Sequence, residues 1–460
     1  MVGQAGDIVK RLRTALDRSL FLPSPAQTTR FRGWEGALLL VSFLALAAVL
    51  QLLRLGPSDA LNSLWAEDGP VFLEGALSHG FLDAVTMTHA EYLVVVPRLI
   101  GEVGAAVPLD DAAVAMNLTS VLFIALCGLA VWFASAGHIH NPYLRALLVA
   151  LTVLCPVSSI EAVVSPTNVA WYAAFAVFWL LLWRPATTWG ASLSALMILA
   201  TGLSTPATLF FAPIALMRAV AIRDRRDALI VGAFGLASVI QVRAMMVTSE
   251  EMFGDVWTES ILTAFLQRIV DGSVLGLELG GSTWADWGWP FLIAISVGVM
   301  AYLIMLLLRV SSGRLVAAIA IASSVAIFLA SSYTRALGDL IVWPTDVYNT
   351  FGGRYAVIPT LLLISAALAL VDSHSRSSRG RSIAAIATAV VLLIPLVTSF
   401  DASGEIGRGG PKWDDSLHTS TASCEAKNLA EVPVTISPEG WTVTVSCDSL
   451  VSTGGPSRAP

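Results

Sequence analysis

The chain has 460 residues, of which 56% are hydrophobic and only 13% charged, and its net charge is −6. Soluble domains carry about 25% charged residues, and the shortfall is gathered into long apolar runs, which excludes an ordinary soluble globular protein. With no basic patch or stripe, nucleic acid is excluded as a partner.

Residues 1–33 are polar and basic, and the first apolar run begins near Gly33, so no cleavable signal peptide is expected. This stretch reads as a cytoplasmic arm, with a short interfacial helix around 8–22 carrying Leu12, Leu16 and Leu20. Eleven apolar segments follow as candidate spans, each near the ~20 residues needed to cross a bilayer core. They are 34–55, 111–135, 143–160, 165–183, 188–203, 205–221, 227–247, 287–308, 314–333, 353–371 and 382–400. Lysine and arginine set the orientation. Most of the 27 basic residues fall in the arm or in alternate connections, at Arg145, Arg184, Arg218/Arg223/Arg225/Arg226, Arg309/Arg314 and Arg376/Arg379/Arg381. The N-terminus is therefore expected in the cytoplasm and the C-terminus outside. The non-membrane sequence lies mostly on the outer face, in a first loop at 56–110, a second at 248–286 and a tail at 401–460.

The first outer loop carries Trp65-Ala66-Glu67-Asp68-Gly69-Pro70. Adjacent carboxylates beside a membrane are costly to desolvate without a partner or a task. One reading makes Asp68 the N-cap of a short interfacial helix at 70–79, with Glu67 solvated. The other makes the pair a general base for a sugar hydroxyl, or ligands for a divalent cation such as Mg2+ or Mn2+ against a phosphate. Next, His89 and Glu91 are candidate substrate contacts, and Arg98, in an interrupted apolar run at 93–107, is a candidate phosphate contact. At the outer ends of the third and fourth spans, Glu161 and 165–172 form a polar turn with aromatics, in which Asn168 and Trp171 suit a carbohydrate. Trp284, Trp287 and Trp289 read better as interface anchors. Arg335 and the group Gly353-Arg354-Tyr355 sit at the outer ends of the ninth and tenth spans, where a guanidinium can bind phosphate bidentately. In the tail, 432–436 and 441–446 alternate with period two around the turn signal Ser437-Pro438-Glu439-Gly440. That pattern predicts a β-hairpin, and Cys424 and Cys447 flank it as a disulfide permitted outside the membrane. Cys127 and Cys155, inside spans, read as small buried apolar residues.

The expected fold is thus an all-α polytopic membrane protein of about eleven transmembrane helices. Interfacial helices fill its first outer loop, and a small C-terminal β-hairpin lies outside the membrane. This layout, with the acidic pair Glu67-Asp68 after the first span, resembles the GT-C class of membrane glycosyltransferases across about 34–400. The resemblance implies a polyprenyl-phosphate sugar donor and an extracytoplasmic glycan, lipid or protein acceptor. It also implies catalysis by Asp68 or Glu67, with the donor phosphate held by Arg354, Arg335 or Arg98. Tyr355 beside Arg354 belongs to the same candidate site. The chain departs from the class in lacking an obvious second acidic signature and in the small size of its tail. Two other functions fit the composition: a transporter or flippase for lipid-linked substrates, and a non-catalytic envelope-assembly protein. A nucleotide-driven pump is disfavoured because no Gly-x-x-x-x-Gly-Lys-Ser/Thr loop occurs. The one N-glycosylation pattern, at Asn117, falls within a candidate span, and with no eukaryotic retention signal a prokaryotic cell membrane is expected.

Overall fold

The computed structural model describes residues 11, 13–22, 33–158, 162–248, 258–334, 353–376, 379–402 and 410–453. Arg335 and Glu161 lie outside the described residues. Among the described residues, six helices are long and apolar enough to cross a membrane: Trp34–Leu55, Leu109–Gly137, Arg225–Val247, Ile261–Arg309, Arg314–Thr334 and Arg354–Ser375. Five shorter apolar helices accompany them, Pro142–Val153, Pro166–Leu182, Thr188–Gly202, Pro206–Val220 and Ser382–Thr398. The chain is a mainly helical, multi-pass membrane protein with one small sheet in its tail.

Two helices form the centre. Val169–Leu182 is apolar on all sides, and all but one of its residues are buried. Arg354–Ser375 is buried along most of its length. A helix apolar all round belongs inside a bundle, and these two meet near their starts, where the Trp171 and Tyr355 rings stack edge-on at 5.2 Å. They therefore run parallel and present their first turns at the same end of the molecule. The peripheral helices Trp34–Leu55 and Arg225–Thr248 instead leave most of their apolar surface exposed, as residues facing lipid do.

At that same end the first loop is stitched to later segments. Val95 N–H donates to the Leu203 carbonyl (3.1 Å) and Val96 N–H to Ser204 Oγ (2.8 Å). Arg54, fully enclosed, holds the Phe400 and Ser399 carbonyls at 3.0 and 3.1 Å and Ser158 Oγ at 3.1 Å. At the opposite end the N-terminal arm lies across the helix ends. Asp17 pairs with Arg184 and Arg223 (both 2.6 Å), and Phe21 sits beneath Arg184 and Arg218. His138 contacts the Leu20 carbonyl at 3.0 Å, and Asp372 accepts the His140 and Asn141 amides at 3.0 and 2.8 Å.

The segment expected as a second outer loop, 248–286, is different. From Thr258 onward it is helical and folded back on the bundle, and Asp271 accepts from Ser296 Oγ at 2.8 Å. Its polar residues interrupt the apolar pattern without preventing a helix. Gly276 (φ 74°) and Gly288 (φ 66°) supply the bends, at a φ that glycine adopts without cost.

In the tail, β3 (Glu431–Ile436) pairs antiparallel with β4 (Trp441–Ser446), with Ile436 opposite Trp441. The alternating burial of β3 follows from its period-two sequence. Two tail helices, Trp413–Lys427 and Cys447–Thr453, are additions that the sequence reading lacked. The Cys424–Cys447 disulfide forms, with Cα atoms 5.7 Å apart. Ser437 bridges to Trp65: Ala66 N–H donates to the Ser437 carbonyl (2.6 Å) and Ser437 N–H to the Leu64 carbonyl (3.2 Å). Thr444 N–H donates to Glu74 Oε2 at 2.7 Å. The tail is packed directly against the acidic turn.

Candidate active site

A cavity of about 290 Å³ opens where the two central helices begin. Its walls come from the acidic turn (Glu67), a hairpin at 88–93 (His89, Tyr92), the 165–171 turn (Thr167, Asn168, Trp171), the Ser204-Thr205 turn, and Arg354 with Tyr355. The hairpin consists of β1 (Thr88–His89) and β2 (Tyr92–Leu93), joined by Ala90 and Glu91 at φ 48° and 74°. Two successive positive φ values make a type I′ turn, which glycine or asparagine ordinarily occupies. Ala66 (φ 45°) and the β-branched Val164 (φ 52°) are held in the same region of backbone space. Among the described residues only Asn428 joins these four as a non-glycine at positive φ. Strain of this kind, costing about 1–3 kcal/mol per residue, persists where surrounding structure imposes it, and it gathers at functional sites.

The candidate residues divide. Glu67, His89, Asn168, Trp171, Arg354 and Tyr355 all line the cavity. Asp68 does not. It is fully buried, and its Oδ1 accepts from Thr167 N–H (2.9 Å), Thr167 Oγ1 (2.6 Å) and Ser165 Oγ (3.3 Å), while Oδ2 lies 3.4 Å from Trp65 N–H. Asp68 thus clamps the acidic turn to the 165–168 turn and makes no side-chain cap on the helical stretch after it. Arg98 is also buried outside the cavity. It donates to the Val71 and Thr88 carbonyls and lies over the Phe72 ring. Burial of this guanidinium lowers its pKa. It braces the first loop from within. Glu91 occupies the hairpin turn itself, half-buried.

The cavity residues hold one another. Trp171 Nε1 donates to Asn168 Oδ1 (3.2 Å), and Asn168 Nδ2 to Ser165 Oγ (3.3 Å). Arg354 lies 5.1 Å from the Tyr355 ring centre, with Nη2 3.4 Å from its hydroxyl, and His89 packs edge-on against Phe72 at 6.2 Å. A continuous chain of contacts runs from Asp68 through Ser165, Asn168, Trp171 and Tyr355 to Arg354. Asn168 therefore sets the Trp171 ring and is a positioning residue. Thr167 belongs to the 165–172 turn already singled out from the sequence, whereas Ser204 and Thr205 are cavity residues that the sequence reading missed. Their signal was present: Ser165-Pro166 and Thr205-Pro206 each place a capping residue before a first-turn proline, and Thr205 Oγ1 accepts from Ala207 N–H at 3.3 Å.

Residues at or just before three helical starts line this cavity: Thr167 and Asn168 before Val169–Leu182, Ser204 and Thr205 before Pro206–Phe211, and Arg354 at the start of Arg354–Ser375. Helix N-termini carry partial positive charge and favour anions. Arg354 occupies the first position of its helix, with no acidic residue in that turn. The Asp68 oxygens are taken by protein donors, and among the described residues no three His, Cys, Asp or Glu side chains gather as ligands.

No family model matches the chain, and no curated protein does. Among solved structures it is similar to the arabinofuranosyltransferase AftD from mycobacteria, determined by cryo-EM, at 16% identity and a TM-score of 0.38. The match covers 89% of this chain and 30% of that one, so this chain spans less than a third of its neighbour's length. A likeness of that degree leaves fold and activity to be argued from this chain's own residues.

Proposed function

We propose that the chain is a membrane glycosyltransferase that moves a sugar from a polyprenyl-phosphate donor to an extracytoplasmic carbohydrate acceptor. It would do so as a multi-pass protein of a prokaryotic cell membrane, with its N-terminus in the cytoplasm and its C-terminus outside. The observation that carries this reading is one cavity uniting a carboxylate, Glu67, with an arginine and three helix N-termini. Such a site offers a base on one side and an anion cradle on the other. At about 290 Å³ it lies near the lower end of the ~300–1,000 Å³ typical of small-molecule pockets, which suits one sugar and its phosphate.

In this mechanism Glu67 takes the proton of the acceptor hydroxyl. That oxygen forms a bond to the anomeric carbon, and the bond from that carbon to the phosphate oxygen breaks. The phosphate leaves with the bonding pair, and its charge is met by Arg354 and the helix starts. Trp171 and Tyr355 offer ring faces to the sugar, and His89, Ser204 and Thr205 offer hydrogen bonds to its hydroxyls. Support for the membrane sidedness comes from the grouping of residues. Every cavity element belongs to a segment expected outside, and the arm with its arginine partners gathers at the other end.

The test is transfer of label from radiolabelled polyprenyl-phosphate sugars to a glycan pool by the reconstituted protein. Glu67→Gln should lower the rate by about 100-fold or more, the usual contribution of a general base. Equal transfer by both proteins removes Glu67 from the mechanism. Labelled lipid crossing the bilayer without transfer replaces the transferase with a flippase.

A further inference from the structure

At the basic end of the bundle, away from the cavity, lies an apolar groove of about 660 Å³ between Trp34–Leu55 and the helices Ala112–Ala134 and Pro142–Val153. Gly36, Leu40, Phe43, Trp132, Val149 and Val153 line it. It follows Trp34–Leu55 from Gly33 to Leu50, roughly 25 Å at about 1.5 Å per residue. A groove of this kind on a membrane-facing helix is filled by hydrocarbon. Its basic end carries a specific feature. The Arg145 guanidinium sits 4.4 Å from the centre of the Trp132 ring, and the next residue, Ala146, lines the groove. Arg145 is half-buried, and its enclosed Nε has no hydrogen-bond partner. The exposed aromatics Trp34 (74%) and Tyr143 (83%) flank this level and mark it as the headgroup zone.

We infer that this groove is a binding site for an anionic phospholipid of the cytoplasmic leaflet, with one acyl chain along Trp34–Leu55 and the phosphate on Arg145. Charge complementarity selects the occupant. A hydrophobic slot ending at a cation with an unused Nε–H fits an amphiphile that is apolar along its length and negative at its head. Asp372 acts on Arg145 through charge alone, its oxygens being taken by the His140 and Asn141 amides and by Arg376, so a neutral lipid would fill the slot and leave the Arg145 Nε–H unmet. The site is separate from the cavity around Glu67, and the inference does not depend on the transferase reading.

The experiment is native mass spectrometry of the purified full-length chain, titrated with dioleoyl phosphatidylglycerol or dioleoyl phosphatidylcholine. The expected result is retention of a single phosphatidylglycerol in preference to phosphatidylcholine. Arg145→Gln should weaken that retention by about tenfold, as loss of one charge-assisted contact does. Ala150→Phe, which fills the groove without touching a charge, should weaken retention of both lipids. Melting curves of the two variants check that each is folded, and should Arg145→Gln fail to fold, Ala150→Phe and the comparison of lipids still decide. Equal retention of the two lipids by the parent protein overturns the inference. So does undiminished phosphatidylglycerol binding by folded Ala150→Phe, or preferential retention of a polyprenyl phosphate.

Discussion

In the turn Ala66–Asp68 the chain advances by about three residues per turn, so neighbouring side chains diverge by about a third of a circle. Glu67 consequently reaches the cavity, while Asp68 is turned inward to Thr167 and Ser165. The two carboxylates should respond differently to substitution. Asp68→Asn weakens charge-assisted hydrogen bonds worth about 1.5–3 kcal/mol each, so the melting temperature should fall together with activity. Glu67→Gln should lose activity with its melting temperature kept. Thermal denaturation of both variants, followed beside transfer assays, checks this pair. Arg354→Gln should raise KM for the lipid-linked donor about tenfold or more, with a smaller effect on the acceptor, and steady-state kinetics would show it. That an acidic motif stood here was legible from adjacency alone. Which acid faces the site was not, because it depends on the φ of Ala66 and on partners 99 residues further along. Arg98 shows the same limit. A single arginine in an apolar run reads as a ligand contact, and only the carbonyls of Val71 and Thr88 reveal it as a brace.

Among elements, the apolar helices were readable because each buries or exposes a long run of one character, and the hairpin β3–β4 because its alternation is regular. Trp413–Lys427 was not readable. It is rich in serine, threonine and charge, and it is held by specific bonds, such as Trp413 Nε1 to the Leu109 carbonyl (2.8 Å) and Asn62 Nδ2 to Asp414 Oδ2 (3.0 Å). The disulfide ties this helix to the end of β4, closing a loop with a sequence separation of 23. Replacing both cysteines by serine should destabilise the tail by about 2–4 kcal/mol. Because Ser437 bonds the acidic turn on both sides, activity should fall in parallel. Denaturant titration of the double variant together with transfer assays measures both effects. Retained activity in an unfolded tail would separate the hairpin from the site.

At the scale of the whole molecule, the two ends differ in chemistry. One gathers the cavity and the tail, the other the arm and its arginines. Burial by itself raises the Asp17 pKa, but hydrogen bonds and charge from Arg223 and Arg184 outweigh it and hold this carboxylate below its usual range. A carboxylate held low in the folded state contributes stability that is present above its unfolded pKa of about 3.9 and lost as pH falls through the folded value. Docking of the arm should accordingly persist from neutral pH down through the ordinary carboxylate range and fail only in strong acid. Asp17→Asn should loosen it at pH 7. Limited proteolysis at the arm across a pH series reads out both. The cytoplasmic side expected for this end rests on counting basic residues, whereas the contact of the arm with Arg184 and Arg223 joins parts of the chain that no local pattern connects.

The bridge between Trp65 and Ser437 also bears on how the protein is made. Synthesis proceeds from the N-terminus, so the acidic turn emerges with the first helix, while its backbone partner is translated only after the last apolar helix. A partly inserted chain therefore displays Glu67 without the strand that braces it. The brace on the acidic turn arrives late, once the final segment has been made and folded. On the transferase reading proposed above, stalled or truncated intermediates in the membrane would remain inactive.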